Sequence, residues 1–164
     1  MNNVEICTVI RTLAIQAGQK IMEIYQTDNF EVKLKGDESP VTIADEAADK
    51  LIYAGLRAAF PDTPIVTEEQ SDTHREQSNT FFIVDPLDGT KEFIHRRGDF
   101  TVNIAYVVDG IPVLGVVYAP AKDRLFYTDA NGKSVEELGA HDAHTIGEVK
   151  SIGVSTPNTD ALIV

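Results

Sequence analysis

Basic residues are scarce in this 164-residue chain: 14 Lys and Arg stand against 26 Asp and Glu, a formal net charge of −12. That balance disfavours nucleic acid polymers and anionic membrane surfaces as partners, and an anionic small molecule would need a cation to bring it in. Cysteine occurs once, at Cys7, which excludes a disulfide framework and suits a cytoplasmic protein. No apolar run approaches about 18 residues, so no transmembrane segment is expected. Met1-Asn2-Asn3-Val4-Glu5 lacks the basic start and apolar stretch of a leader. Peripheral association with the inner membrane is compatible with this reading. Internal repeats, low-complexity tracts and Pro-rich linkers are also absent.

What is present is enough for one domain with a real core, since 43% of the residues are hydrophobic. Apolar residues recur at helical spacing from Val4 to Tyr25, and Cys7 falls among them as a small core residue. After a charged connector, Lys35-Gly36-Asp37-Glu38-Ser39-Pro40, Thr42 can cap a second helix with Asp45 in its first turn, and Pro61 stops that helix. Strand-like runs cover Pro64 to Thr67 and Thr80 to Val84, with a polar surface loop from Ser71 to Asn79 between them. Lys91 to Arg96 reads as a short helix. Phe100 to Val108 and Ile111 to Tyr118, joined by Asp109-Gly110, form a hairpin, and Arg124 to Thr128 adds a strand. Gly132 to Thr159 carries no readable period. Helices followed by a run of strands give an α+β fold class, two long helices on a largely antiparallel sheet. Ala161-Leu162-Ile163-Val164 reads as the start of a buried strand that the sequence does not continue, so a domain over 1–160 and the beginning of a missing second half at 161–164 are expected.

The chemistry concentrates in Asp85-Pro86-Leu87-Asp88-Gly89-Thr90, which follows the Phe81 to Val84 run, and in Glu68-Glu69 upstream. Asp85, Asp88 and the Leu87 carbonyl, around a turn bent at Gly89, can face hard cations such as Mg²⁺, and Glu68 can close the cluster from a neighbouring strand. The Gly89 and Thr90 amides can hold phosphate oxygens. Asp37, behind a glycine, could pair with the Thr90 hydroxyl and take a proton from water, or be a solvated loop residue. Glu69 reads as a solvated neighbour of Glu68. His95, Arg96 and Arg97 could grip a second phosphate or simply complement a helix end. His74, His141 and His144 lack partners at zinc spacing and read as surface residues, and Lys35 as a solvated lysine.

These motifs resemble the lithium-sensitive, Mg²⁺-dependent phosphatases that include inositol monophosphatases and fructose-1,6-bisphosphatases. Gly36 to Thr42, Thr67-Glu68-Glu69, Asp85 to Phe93 and Gly98 to Asn103 look most like the 3′(2′),5′-bisphosphate nucleotidases of the CysQ type, with Lys91-Glu92-Phe93 as the discriminator, whereas His95 is similar to the inositol monophosphatases. The resemblance implies the amino-terminal half of an αβαβα sugar-phosphatase fold. It implies hydrolysis of adenosine 3′,5′-bisphosphate to AMP and phosphate, in clearance of a by-product of sulfate activation. An inositol- or sugar-phosphate phosphatase is the alternative. Carried over, Glu68, Asp85, Leu87 through its carbonyl and Asp88 would hold two or more Mg²⁺, Asp37 and Thr90 would activate water, and Glu68 with Leu87 to Thr90 would hold the scissile phosphate. Family members carry a further Trp-Asp-x-x-Ala-Gly motif whose aspartate binds metal, and this chain has no tryptophan. One metal ligand would therefore come from the missing half, and a metal- or phosphate-binding module without turnover is a third reading. A homodimer is compatible with all three.

Overall fold

The computed structural model of the protein describes residues 2–27, 32–34, 40–70, 73, 78–139 and 141–154. Helix α1 (Asn3–Tyr25) begins where the Asn2 side chain accepts from the Val4 amide at 3.1 Å, filling a donor that helix starts leave unpaired. Its buried stripe is Ile6, Ile10, Leu13, Ala14, Ala17 and Ile21. A short antiparallel ribbon, β1 (Val32–Leu34) with β2 (Pro40–Thr42), leads into α2 (Ile43–Ala59). Thr42 closes a reciprocal cap there: its hydroxyl accepts from the Ala44 amide, and Asp45 accepts from the Thr42 amide.

One sheet contains β3 (Ile65–Thr67), β4 (Thr80–Asp88), β5 (Thr101–Val108), β6 (Ile111–Ala119), β7 (Arg124–Thr128), β8 (Ser134–Leu138) and β9 (Glu148–Ser151), in that order. β3 runs parallel to β4, and each later pair is antiparallel. Asp109 and Gly110 both take positive φ, 51° and 77°, the geometry of a two-residue hairpin. Pro112 sits opposite Val107 beside a register shift, where a missing amide is tolerated. Helix α3 (Thr90–Ile94) follows β4 directly.

Alternate strand residues, among them Phe82, Val84, Val102, Ile104, Val116 and Tyr118, join the buried helix stripes in one core. α1 lies close on the sheet, because a Cβ at Gly18 would meet the Tyr118 ring at 2.4 Å. Tyr25, Phe93 and Phe100 pack pairwise at 5.0 to 5.2 Å between ring centroids and so seat α3 against the end of α1. Arg11 of α1 reaches Glu137 of β8 through two hydrogen bonds, 2.7 and 2.6 Å, and donates to the Asp142 and Thr145 carbonyls at 3.0 and 2.9 Å. This buried fork ties an otherwise irregular segment to the core. On the opposite face of the sheet, Ile83, Val117 and Phe126 line an open groove of about 460 Å³ that reaches Asp85 and Asn103.

The α+β class and the two helices on a largely antiparallel sheet are as expected, and Cys7 is buried. Three readings change. β4 does not stop at Val84 but continues through Asp88, with a register shift between Asp85 and Asp88 in place of a simple turn. α3 spans Thr90–Ile94, not Lys91 to Arg96. His141 is not a surface residue: its side chain is 0% exposed and stands edge-on to Tyr118 at 5.5 Å. His144 is exposed. The connector 35–39, His74 and residues 161–164 lie outside the described residues, as does most of the loop Ser71 to Asn79. Among the described residues no helix is long and apolar enough to cross a membrane.

Candidate active site

Parallel pairing puts the carboxyl ends of β3 and β4 at the same end of the sheet. The Glu68 amide donates to the Val84 carbonyl at 3.1 Å, which sets Glu68 beside Asp85. The consequence is electrostatic. Burial, then the negative charges of Glu68 and Asp88, then a hydrogen bond with Glu68 push the Asp85 carboxyl up to about 7, against the opposing Leu87 amide. Asp85 Oδ1 is buried without a hydrogen-bond partner. Asn103, across the ladder from Asp85, donates to Asp88 Oδ2 at 3.3 Å, while its own Oδ1 is buried and unpartnered. Two orphaned oxygens beside mutually repelling carboxylates mark a place short of positive charge.

Next to it stands a further carboxylate. Asp45, 1% exposed, accepts from the Thr42 hydroxyl at 2.6 Å and the Thr42 amide at 2.7 Å through Oδ2, and from the Thr90 hydroxyl at 3.0 Å through Oδ1. Burial raises the Asp45 carboxyl above its ordinary value, with the bonds from Thr42 and Thr90 opposing. A raised carboxylate bonded to a hydroxyl is the arrangement of a base that draws a proton through that hydroxyl. Thr90 also lies 3.2 Å from the Leu87 carbonyl, so the hydroxyl joins the helix carboxylate to the acidic turn.

Gly89 makes the turn possible. Its φ is +93°, and a Cβ there would fall 2.6 Å from the Asp99 carbonyl oxygen. Gly89→Ala is expected to lower unfolding free energy by about 1–2 kcal/mol from the left-handed backbone alone, more with the clash, read from urea denaturation. An unchanged midpoint would show that the turn relaxes freely.

Glu68, Asp85 and Asp88 lie within electrostatic reach of one another, and Leu87, Gly89 and Thr90 follow in the same turn. Asp37 lies outside the described residues, and the carboxylate that the Thr90 hydroxyl meets is Asp45, read from sequence only as a cap residue. A signal for it existed: Asp45 and Asp49 continue the stripe of Ile52 and Leu56, and a charge on an apolar helix face needs a reason. Glu69 is half-buried in the turn after β3. The basic run is engaged in structure: Arg96 lies over the Tyr25 ring at 5.0 Å, Arg97 bonds Glu92 at 3.1 Å, and His95 contacts the Lys91 carbonyl at 2.7 Å.

The donor set fits a hard cation. All the candidate ligand atoms are oxygens, three of them carboxylate groups, and Asp85 Oδ1 is available. Among the described residues no group of three Asp, Glu, His or Cys side chains is placed to hold a metal ion.

The chain is 48% identical over 128 residues to the 3′(2′),5′-bisphosphate nucleotidase CysQ of Escherichia coli (strain K12), covering 76% of this chain and 52% of that protein. It is 38% identical over 155 residues to the CysQ of Buchnera aphidicola subsp. Acyrthosiphon pisum, covering 93% and 56%. The solved structure of CysQ from Bacteroides thetaiotaomicron, a bacterial member of the inositol monophosphatase family, superposes with a TM-score of 0.75 at 32% identity, covering 94% of this chain and 60% of that one. The chain spans about half the length of the curated relatives it matches. The profile of the inositol monophosphatase family matches residues 2–160, and the chain belongs to that family.

Proposed function

We propose that the protein is a Mg²⁺-dependent phosphomonoesterase that converts adenosine 3′,5′-bisphosphate to AMP and phosphate. The observation that carries the reading is the Asp45–Thr90 hydrogen bond of 3.0 Å set against the Glu68, Asp85 and Asp88 cluster. Glu68, Asp85, Asp88 and the Leu87 carbonyl would hold the metal ions. Mg²⁺ bound there supplies positive charge that offsets the transferring phosphoryl group. Thr90, oriented by Asp45, takes a proton from the attacking water and passes its own to the Asp45 carboxylate, whose raised affinity for protons suits that task. Gly89 keeps the turn open, so that the Leu87 to Thr90 backbone can approach the phosphate. Asp88 is fixed by Asn103, which orients one oxygen and leaves the other for the site. The nucleotide preference rests on Lys91-Glu92-Phe93 and on the CysQ relatives.

Phosphate release from adenosine 3′,5′-bisphosphate and from inositol 1-phosphate, with Mg²⁺ and with added Li⁺, tests the proposal. Lithium-inhibited release that is faster from the nucleotide is expected. Faster release from inositol 1-phosphate would move the substrate to the polyol phosphates, and no release from either, with Mg²⁺ bound, would leave a binding module.

A further inference from the structure

Asp49 stands one helical turn after Asp45 on α2, is 4% exposed, and has no part in the proton path proposed above. Its two oxygens are both used, and both bonds reach the same turn. Oδ1 accepts from the Thr67 hydroxyl, and Oδ2 accepts from the Gln70 side-chain amide at 2.6 Å. Thr67 and Gln70 bracket Glu68 and Glu69. The Gln70 amide closes the turn onto the Thr67 carbonyl at 3.3 Å, and Thr73 is bonded across it, accepting from the Thr67 amide at 3.1 Å and donating to the Gln70 carbonyl at 2.6 Å. The Glu68 backbone amide also donates to the Val84 carbonyl at 3.1 Å, on the strand that carries Asp85. A buried carboxylate that spends both oxygens on the residues flanking an acidic turn fixes that turn against its own helix.

We infer that Asp49 is a positioning residue for the metal site: through Thr67 and Gln70 it locks the turn that aims Glu68 at Asp85. This rests on the metal-binding reading of Glu68. One helix then sets both halves of the chemistry, Asp45 directly and Glu68 through Asp49, at a fixed separation of one turn. Groups that orient metal ligands typically change affinity by about 10–100-fold when removed.

The test is Mn²⁺ binding followed by the electron paramagnetic resonance of free Mn²⁺, without substrate, on the wild-type chain and on Asp49→Ala, Asp49→Asn, Thr67→Val and Glu68→Gln, each checked for folding by circular dichroism. Asp49→Ala and Thr67→Val are each expected to weaken binding at least tenfold, and the double variant no further, because the two act as one unit. Asp49→Asn keeps an acceptor for Thr67 and should stay within about threefold of wild type. Wild-type affinity in Asp49→Ala and Thr67→Val, with Glu68→Gln weakened, overturns the inference and leaves the metal reading standing. Wild-type affinity in Glu68→Gln overturns the metal reading itself, and this inference with it. Should Asp49→Ala fail to fold, the near-isosteric Thr67→Val decides between the outcomes.

Discussion

Asp85→Asn is expected to lower turnover by about 10³-fold or more, equivalent to about 4 kcal/mol of barrier, and at the same time to raise the melting temperature of the metal-free protein at pH 8. The two effects have one cause. Folding buries Asp85 beside Glu68 and Asp88 and moves its ionisation up to about 7, whereas the unfolded chain ionises near the ordinary aspartate value of about 4. Between those values the folded protein holds more protons than the unfolded one. The contribution of Asp85 to stability is therefore complete below about pH 4, falls as pH rises, and is lost once the pH passes about 7. A neutral amide has no such penalty, so the variant gains over wild type at pH 8 and not at pH 4. Mg²⁺ should erase the difference by stabilising the wild-type site, since a ligand that binds only the folded state raises its stability. Calorimetry at both pH values, with and without Mg²⁺, reads the thermodynamic part. A variant that melts below wild type at pH 8 without metal would show that Asp85 is not strained by its neighbours.

The second large effect is expected at Asp45. Asp45→Ala should reduce kcat by about 10²–10⁴-fold, the contribution of a well-placed proton acceptor, with a smaller change in KM. It also deprives the Thr42 hydroxyl and amide of their acceptor, which should lower stability by about 1–2 kcal/mol. Asp45→Asn separates these roles. Its carbonyl oxygen can still accept from Thr42, so the cap survives, but it cannot take a proton from Thr90. Loss of kcat with the melting temperature nearly retained would identify proton transfer. Thr90→Ala should cost a similar factor, and combining it with Asp45→Asn should add little, because the two groups work in series. A fully additive double variant would show that they act independently.

Local patterns carried much of this architecture in the sequence. The helical stripe from Val4 to Tyr25, the cap at Thr42 and the Asp109-Gly110 hairpin depend on neighbours a few residues apart, and all three stand in the structure. Asp85, Asp88 and Thr90 were legible because their spacing and the glycine between them are local too. Asp45 was legible only as a cap, since its partner lies 45 residues away on α3. β9 was hidden for a different reason: its four residues are all exposed, so no alternation of apolar and polar positions marks it. The segment before it, including His141, is held by Arg11 from the far end of the chain, and no period in the sequence reports such a bond.

The parallel junction of β3 with β4 also orders events in time. From β4 to β9 every strand pairs with its successor in the chain, so each pairing closes a short loop. The candidate site depends instead on contacts spanning 18 residues, Thr67 to Asp49, and 45 residues, Thr90 to Asp45. Loop closure of that kind follows the local meander during folding. In a refolding experiment the circular dichroism of the sheet should therefore recover before the capacity to bind Mn²⁺, with the candidate metal site the last part of the chain expected to form.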